Sequence, residues 1–201
     1  MKNANMFDYH HARPTPWGKA DSVNDLGLGF VLVGTPGHGG IMIGCRQAEK
    51  VLSEAAQKRG QVFNQFLCYE EDCDISIVIF EYPQLWVDYR ASWADKIISA
   101  QETKQSALES LSRWHAEYLI ERGITPEGDQ YREYLFRKED QKLRDNKDPR
   151  LIVSASMVKD HDGQTAVCCA DGLNYIVEGY TYPRPNFQHN LLDFCKVLQR
   201  V

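Results

Sequence analysis

One histidine in a glycine-rich loop is the first feature of this chain that could do chemistry. His38 follows Gly37 and precedes Gly39 and Gly40, and an apolar run lies on each side of the loop. Glycine leaves the backbone free to take positive φ and to present bare N–H groups, so this loop could hold an anion or an oxyanion. The simpler alternative is a tight hairpin whose histidine is exposed or caps a carbonyl group.

Known phosphate-binding loops do not fit this stretch. The Gly-Lys-Ser/Thr of the lysine-type phosphate loop is missing, the dinucleotide pattern Gly-x-Gly-x-x-Gly is missing too, and no helix is expected to open directly from the loop. The loop therefore predicts neither a nucleoside triphosphate site nor a dinucleotide site.

A second stretch carries four carboxyl groups and one thiol in succession: Glu70, Glu71, Asp72, Cys73 and Asp74. Like charges this close repel each other unless something compensates them. A divalent cation could lie among them, one carboxyl group could act as general acid or base beside His38, or all of them could point into water. A divalent metal is left open, although no metal-ligand spacing is recognisable, and no other cofactor is predicted.

The candidate residues fall into two groups. The catalytic candidates are His38, Glu70, Glu71, Asp72 and Asp74. The binding candidates are Trp17, Gly37, Gly39 and Gly40. A thiol nucleophile at Cys73 with His38 as its base is a further arrangement, but acidic neighbours raise a thiol pKa rather than lower it.

The composition limits the class of protein. The 201 residues are 43% hydrophobic and 25% charged, which is typical of a folded globular chain. A net charge of −5 makes direct nucleic-acid binding through a broad basic surface unlikely. No apolar run is long enough to span a membrane, the N-terminus lacks the apolar segment of a secretory signal, and the six cysteines form no Cys-x-x-Cys pair. We therefore expect a cytoplasmic protein whose cysteines are reduced, small buried hydrophobes.

Periodicity predicts the elements that position these residues. The expected strands are 28–33, 41–43, one that follows 61–66 and ends near 82–83, 151–158, 164–170 and 174–180, with a hairpin joining the first two and a meander formed by the last three. The expected helices are 46–58, 103–122, 129–145 and 186–199. Residues 1–25 are expected to be irregular, with Trp17 anchoring them to the domain.

These elements predict an α+β fold in which helices pack mainly on one side of an antiparallel sheet. We expect a single domain over residues 1–201, with a helical insertion at about 90–148 and a C-terminal meander and helix at 150–201. If the strand that ends near 82–83 is extended from Glu71 onward, its side chains alternate between the two faces. That alternation would place Cys73 on the buried face, and Asp72 and Asp74 on the polar face.

Three motifs in order resemble an uncharacterised domain family of phages, plasmids and conjugative elements, some of whose members lie in large polyvalent proteins. They are Pro16-Trp17-Gly18 with Ala20-Asp21-Ser22, then Thr35-Pro36-Gly37-His38-Gly39-Gly40-Ile41, then Tyr69-Glu70-Glu71-Asp72-Cys73-Asp74. The resemblance covers residues 10–82, and the insertion at 90–148 departs from it. The family has no established activity, so the resemblance implies a context and no catalytic role.

That context predicts a counter-defence protein that binds and inhibits a host defence component, of the CRISPR–Cas or restriction type. The partner would be a host protein or nucleoprotein complex. The acidic balance and the charged helix at 129–145 favour this, since acidic faces can occupy basic nucleic-acid channels. One alternative is a hydrolase or transferase whose active site combines His38 with the acidic cluster. Another is a structural accessory domain.

Overall fold

The computed structural model describes residues 14–92, 94, 98–157, 163–178, 180, 191–192 and 195–201. Contacts within the chain form two compact units, one ending at Gln130 and the other beginning at Tyr131. The expectation of a single domain stays a prediction. None of the helices in the described part of the chain is long and apolar enough to cross a membrane.

The described residues of the first unit form two β-sheets and six helices. Its strands are β1 (Pro14–Thr15), β2 (Gly18–Lys19), β3 (Ser22–Gly27), β4 (Phe30–Gly34), β5 (Gly39–Gly44), β6 (Gln61–Phe63) and β7 (Phe66–Glu70). Its helices are α1 (Cys45–Val51), α2 (Glu54–Gln57), α3 (Ile75–Glu81), α4 (Pro83–Ala91), α5 (Ala100–Trp114) and α6 (Ala116–Glu121). Strands β1 and β2 pair with each other, and the other five form one antiparallel sheet in the order β3-β4-β5-β7-β6.

Alternation along the central strands explains how the five-stranded sheet is covered. In β5, Ile41 and Ile43 face the main core, which α1, α2, α3, α5 and α6 complete, whereas Met42 faces a smaller cluster on the opposite side. Trp17 and Ala20, from the segment around β2, cover that opposite side. The helices therefore pack on one side of the sheet, which confirms the predicted α+β class.

The expected strand is wrong over residues 71–80, because β7 ends at Glu70 and Ile75–Glu81 form the helix α3. A run of isoleucine, valine and phenylalanine favours a strand by its intrinsic preference. In the fold, Ile77, Val78 and Phe80 are instead buried in the core between the sheet and α5, and burial outweighs the small helix penalty of β-branched residues. The predicted alternation of Cys73, Asp72 and Asp74 between two faces therefore does not apply.

Other boundaries also differ. Residues 22–27 form β3 rather than irregular chain, and Leu28 and Gly29 make the following turn with positive φ angles of 53° and 87°. The strand expected at 28–33 therefore begins at Phe30, and the predicted hairpin of β4 with β5 is present. The helix expected at 46–58 is divided at Ser53, whose hydroxyl caps α2 by accepting a hydrogen bond from the Ala56 N–H group.

The second unit holds most of α7 (Gly128–Asp145) and the strands β8 (Ile152–Met157), β9 (Gln164–Cys169), β10 (Asn174–Glu178) and β11 (Lys196–Arg200). The sheet order is β11-β10-β9-β8 and every pairing is antiparallel. The charged helix and the meander match the sequence prediction.

The final helix expected at 186–199 is wrong over residues 196–199. These residues pair with β10 as the edge strand β11, because the open edge of β10 offers backbone hydrogen-bonding groups that need partners. The remainder of that expected helix lies outside the described residues except for 191, 192 and 195. Residues 1–13 of the segment expected to be irregular and residue 158 of the expected strand 151–158 also lie outside them.

Candidate functional site

The loop of His38 is a tight turn closed by a threonine. The Thr35 N–H group donates to the His38 carbonyl oxygen at 2.9 Å, and the Thr35 hydroxyl donates to the same oxygen at 2.6 Å. The His38 N–H group lies 3.2 Å from Thr35 Oγ1 and donates to it. That backbone donor is thus used within the turn, and it is not available to an anion in the way that the sequence suggested.

Two of the glycines are required by close packing. A Cβ atom on Gly40 would lie 2.5 Å from Cη2 of Trp17 and would also meet the Tyr69 carbonyl oxygen. A Cβ atom on Gly39 would lie 2.5 Å from the Val33 carbonyl oxygen. Neither glycine has a positive φ angle. Their lack of a side chain therefore lets the Trp17 ring and the neighbouring strands approach, and the expected use of positive φ is wrong.

Gly37 and Trp17 differ in their surroundings. Gly37 is exposed, and a Cβ atom placed on it would meet nothing within 4 Å. Trp17 is half-buried against the sheet, and its carbonyl oxygen accepts a hydrogen bond from the Thr35 hydroxyl at 3.3 Å. Trp17 thus anchors the preceding segment to the loop, as the sequence predicts. A role for Trp17 or the three glycines in binding a ligand stays a prediction.

The structure brings the loop next to the first part of the acidic stretch. Nδ1 of His38 lies 3.4 Å from Oε1 of Glu70. The Glu71 N–H group donates to the Gly39 carbonyl oxygen at 3.0 Å, which continues the pairing of β5 with β7. The Asp72 N–H group donates to Oε2 of Glu70 at 2.9 Å. The histidine and the carboxyl groups, remote in sequence, thus lie at one end of the same sheet.

We call this surface the motif face, and define it by Trp17, residues 35–40 and residues 70–72. Within it, one ligand atom each from His38, Glu70 and Glu71 lies within 4.8 Å of the others, which is a spacing that could hold a cation or exchange a proton. The His38 side chain is 62% exposed and that of Glu70 25% exposed, while Glu71 and Asp72 are exposed. The motif face is open to solvent, unlike most sites of acid–base catalysis.

Asp74 does not belong to the motif face. Its Oδ1 lies 2.8 Å from Nε2 of His115 and 3.5 Å from Sγ of Cys73. The chain turns between Glu70 and the start of α3, so the acidic stretch is divided between two places. The sequence-based grouping of Asp74 with His38 is therefore not the arrangement in the fold, and Cys73 contacts Asp74.

The surroundings of Cys73 make its thiol a poor nucleophile. Burial, followed by the neighbouring Asp74 carboxylate, raises the pKa of Cys73 to about 11. Burial also pushes the pKa of Asp74 upward, but His115, the Cys73 thiol and a backbone hydrogen bond outweigh that effect and hold this pKa below its ordinary value. At neutral pH the thiol is therefore protonated beside a carboxylate.

Sequence reasoning missed His115 as a site residue. The helix expected at 103–122 passes through it, and its spacing fits the apolar stripe of that helix. In the fold His115 interrupts the helix with φ −134° and ψ 44°, ending α5 and preceding α6. The sequence carries no breaker such as proline at this point, so no local signal could have found it.

A buried carboxylate at Glu81 was also missed. Its side chain is 7% exposed and accepts hydrogen bonds from the Ser53 N–H group at 3.0 Å, from the Ser53 hydroxyl and from the Tyr118 hydroxyl at 2.9 Å. A guanidinium nitrogen of Arg122 lies 3.5 Å away. This network links α2, α3 and α6. Its hydrogen-bond donors compensate for the burial of the Glu81 carboxylate.

The six cysteines all lie among the described residues and form no disulfide bond. Only Cys68 and Cys169 are buried, whereas the sequence predicted burial for all six: Cys45, Cys68, Cys73, Cys168, Cys169 and Cys195. The other four are half-buried.

Two surface cavities of about 420 and 430 Å³ lie away from the motif face. One is between β3 and α4, and the other lies along the first half of α5.

Comparison with known proteins gives a family. A family described as a domain of unknown function, DUF7007, matches residues 10–130. The match covers the motif face, Cys73, Asp74 and His115. It extends past residue 82 into α4, α5 and α6, so the helical segment up to residue 130 is part of the family's domain rather than a departure from it. No curated protein and no solved structure matches the chain. The chain thus belongs to the DUF7007 family of domains of unknown function.

Proposed function

We propose that this protein is a counter-defence protein of a phage or plasmid that binds a host defence component through the motif face and inhibits it. The observation that carries the proposal is the meeting of three sequence-remote segments on one solvent-open surface. Trp17 packs on Gly40, the Thr35 hydroxyl holds both Trp17 and His38, and Glu71 pairs with Gly39. The exposed groups on this surface are not needed for the core.

The openness of the motif face favours binding over catalysis. A catalytic histidine usually works where water is excluded and where its partners are held firmly. His38 is mostly exposed, whereas large partners are recognised on open surfaces that become buried on association.

The charge of the first unit favours a basic partner surface. Residues 1–130 contain 18 acidic and 12 basic residues, whereas residues 131–201 contain 10 acidic and 11 basic residues. Asp21, Glu71 and Asp72 are exposed on or beside the motif face. Nucleases and effector complexes bind nucleic acid through basic channels, so an acidic surface could compete for such a channel.

The charged helix α7 supports this proposal less than the sequence suggested. It contains five acidic and five basic residues. Two of its pairs close within the helix, Glu133 with Arg137 and Asp140 with Arg144. Such i,i+4 pairs satisfy each other, so the acidic excess comes from the first unit.

The identity of the partner class rests on the resemblance of the three motifs to a family of mobile elements. The experiment measures binding of the full chain to purified host restriction nucleases and CRISPR effector complexes, together with inhibition of DNA cleavage. We expect one of these targets to bind at micromolar concentration or tighter and to be inhibited at one protein per target. No binding at micromolar concentration to any of them contradicts the proposal.

A charge-reversal pair tests whether the motif face is the surface used. E71K changes an exposed carboxylate on the face, and E49K makes the same change at an exposed residue of α1 outside it. We expect E71K to weaken binding by at least roughly tenfold, in the range measured for close charge pairs across interfaces, and E49K to leave binding near the wild-type value. Equal effects of the two variants would place the interface elsewhere.

A second candidate function is a hydrolase or transferase that uses His38 and Glu70 as an acid–base pair, and the 3.4 Å contact between them favours it. Titration of the target separates the two functions. A binding inhibitor blocks the target fully only at about one molecule per target molecule. An enzyme inactivates the target at far smaller amounts. If the protein is an enzyme, H38A abolishes its effect on the target while the melting temperature hardly changes. An H38A variant that keeps the full effect on the target excludes the enzyme function.

A further inference from the structure

A thiol, a carboxyl group and an imidazole meet between the start of α3 and the junction of α5 with α6. Cys73 and Asp74 directly precede α3, and His115 joins the two later helices. One donor atom from each lies within 4.8 Å of the other two. The side chains of Asp74 and His115 are 25% and 18% exposed, so the cluster is partly shielded from water but open to a small ion.

The orientation of Asp74 is not explained by helix capping. Asp74 is the N-cap residue of α3, a position where an aspartate carboxylate ordinarily accepts a hydrogen bond from the first turn. Here the side chain makes no such bond and faces Cys73 and His115 instead. The backbone of Asp74 is itself helical, with φ −74° and ψ −31°, so helix capping does not hold the carboxylate in this orientation.

The contact of His115 with Asp74 is equally unusual. Nε2 of His115 is shielded from solvent and lies 2.8 Å from Oδ1 of Asp74, yet the approach is outside hydrogen-bond geometry and leaves Nε2 without a hydrogen bond. The ring nitrogen that carries no proton in a neutral imidazole and a carboxylate oxygen both offer a lone pair to a cation. Two such atoms directed at one point are repulsive unless a proton or a metal ion lies between them.

We propose that Cys73, Asp74 and His115 bind a divalent transition-metal ion of the zinc class. Thiolate, imidazole and carboxylate are the three ligand types that zinc takes in proteins, and the sulfur and nitrogen donors disfavour Mg²⁺ and Ca²⁺. Three protein ligands leave a fourth position for water or for a group of a bound partner. The thiol proton is released to solvent when sulfur binds the metal.

The required rearrangement is small. Zinc bonds of ordinary length in a tetrahedron place nitrogen and oxygen ligands about 3.4 Å apart, and sulfur and oxygen ligands about 3.6 Å apart. The corresponding distances here are 2.8 Å and 3.5 Å. Small rotations of the Asp74 carboxyl group and the His115 ring, which move their ligand atoms by a fraction of an ångström, would give these spacings.

This site is separate from the motif face and does not depend on the proposed binding function. Among the described residues, a second histidine-containing cluster, His38 with Glu70 and Glu71, offers only nitrogen and oxygen and is more exposed. It therefore serves as an internal control: a metal bound there would be lost with H38A and kept with C73S.

Metal titration of the full chain under reducing conditions is the test. We expect one Zn²⁺ per chain by calorimetry, and a thiolate-to-metal charge-transfer band when Co²⁺ replaces it. C73S and H115N each should weaken Zn²⁺ binding by at least roughly tenfold, because even outer-shell changes cost that much. H38A and the thiol control C45S should keep both the affinity and the band. Circular dichroism of each variant checks that it is folded.

Alkylation of the wild-type protein gives an answer that needs no variant. Zn²⁺ should protect Cys73 from iodoacetamide, as read by peptide mass spectrometry, while Cys45 and Cys195 react at unchanged rates. Absence of stoichiometric Zn²⁺ binding, alkylation of Cys73 that Zn²⁺ does not slow, or binding lost with H38A instead of C73S would each overturn the proposal.

Discussion

The hydroxyl of Tyr118 donates a hydrogen bond of 2.9 Å to Oε1 of Glu81, a carboxylate that is almost fully buried. Tyr118 lies in α6 and Glu81 ends α3. Burial, and then the charge of Glu81, raises the pKa of Tyr118 above its ordinary value. The tyrosine is thus held as a neutral donor, and its bond fixes the second half of the broken helix against α3.

Removing this donor should destabilise the first unit. Y118F deletes one hydrogen bond to a buried charged group, which costs about 1–3 kcal/mol. Denaturant unfolding followed by circular dichroism and fluorescence measures the change. Y175F, in β10 of the second unit, removes a hydroxyl for which the described residues provide no hydrogen bond, and it should change stability by less than about 0.5 kcal/mol. Equal losses in the two variants would contradict the role of the Glu81 network.

Alkaline pH should weaken the first unit through Tyr69. Its hydroxyl is buried and donates to the Ala56 carbonyl oxygen at 3.0 Å, and burial followed by nearby carboxylates raises the pKa of Tyr69. Because the folded state keeps this proton while the unfolded chain loses it near pH 10, the stabilising contribution is complete below about pH 10 and falls as pH rises above it.

The measurement is the free energy of unfolding between pH 9 and pH 11.5 for wild type and Y69F. Other titrating groups are common to both proteins, so the difference between the two curves isolates Tyr69. We expect wild type to lose stability more steeply above pH 10 than Y69F. Parallel curves over the whole range would show that Tyr69 ionises equally in both states.

Two glycines of the same loop should differ in how far substitution by alanine lowers the stability of the protein. In G40A the new Cβ atom meets the Trp17 ring at 2.5 Å and the Tyr69 carbonyl oxygen, and overpacking of this kind costs about 1–3 kcal/mol or more. In G37A the new atom meets nothing within 4 Å, so the change should be within about 0.5 kcal/mol. Thermal unfolding measures both. A tolerated G40A would mean that Trp17 does not lie on this strand.

The N-terminus of α5 should depend on its capping box. The Ser99 hydroxyl accepts a hydrogen bond from the Glu102 N–H group, and the Glu102 carboxylate accepts one from the Ser99 N–H group. S99A should cost about 1 kcal/mol, whereas S99D, which can still cap, should cost less. Hydrogen exchange of the first-turn amide groups of α5 locates the effect. Unchanged exchange in S99A would show that the cap is not used.

Local patterns predicted several elements correctly, because the information lies within a few residues. The β4–β5 hairpin follows from two apolar runs around a proline–glycine turn. The α7 helix follows from a thin apolar stripe with charges at helical spacing, and the three-stranded meander from alternation between glycine turns. A site that combines His38 with the acidic stretch was one of the arrangements that the sequence left open, and the fold brings Glu70 and Glu71, but not Asp74, to His38.

The same reasoning failed where distant packing decides. Residues 75–80 have the composition of a strand, yet they form α3 because the core between the sheet and α5 takes an apolar helix there. The break at His115 carries no local breaker, and α6, which follows it, places Tyr118 where its hydroxyl reaches Glu81.

The sequence by itself determined the α+β class, the β4–β5 turn that carries His38 and the run of acidic residues at 70–74, since each depends on residue types and short spacing. Only the tertiary structure decided that Asp74 leaves that stretch to meet Cys73 and His115, and that Gly40 makes room for Trp17. These contacts join residues far apart in the chain, and their free energy exists only once the sheet and the helices have packed together.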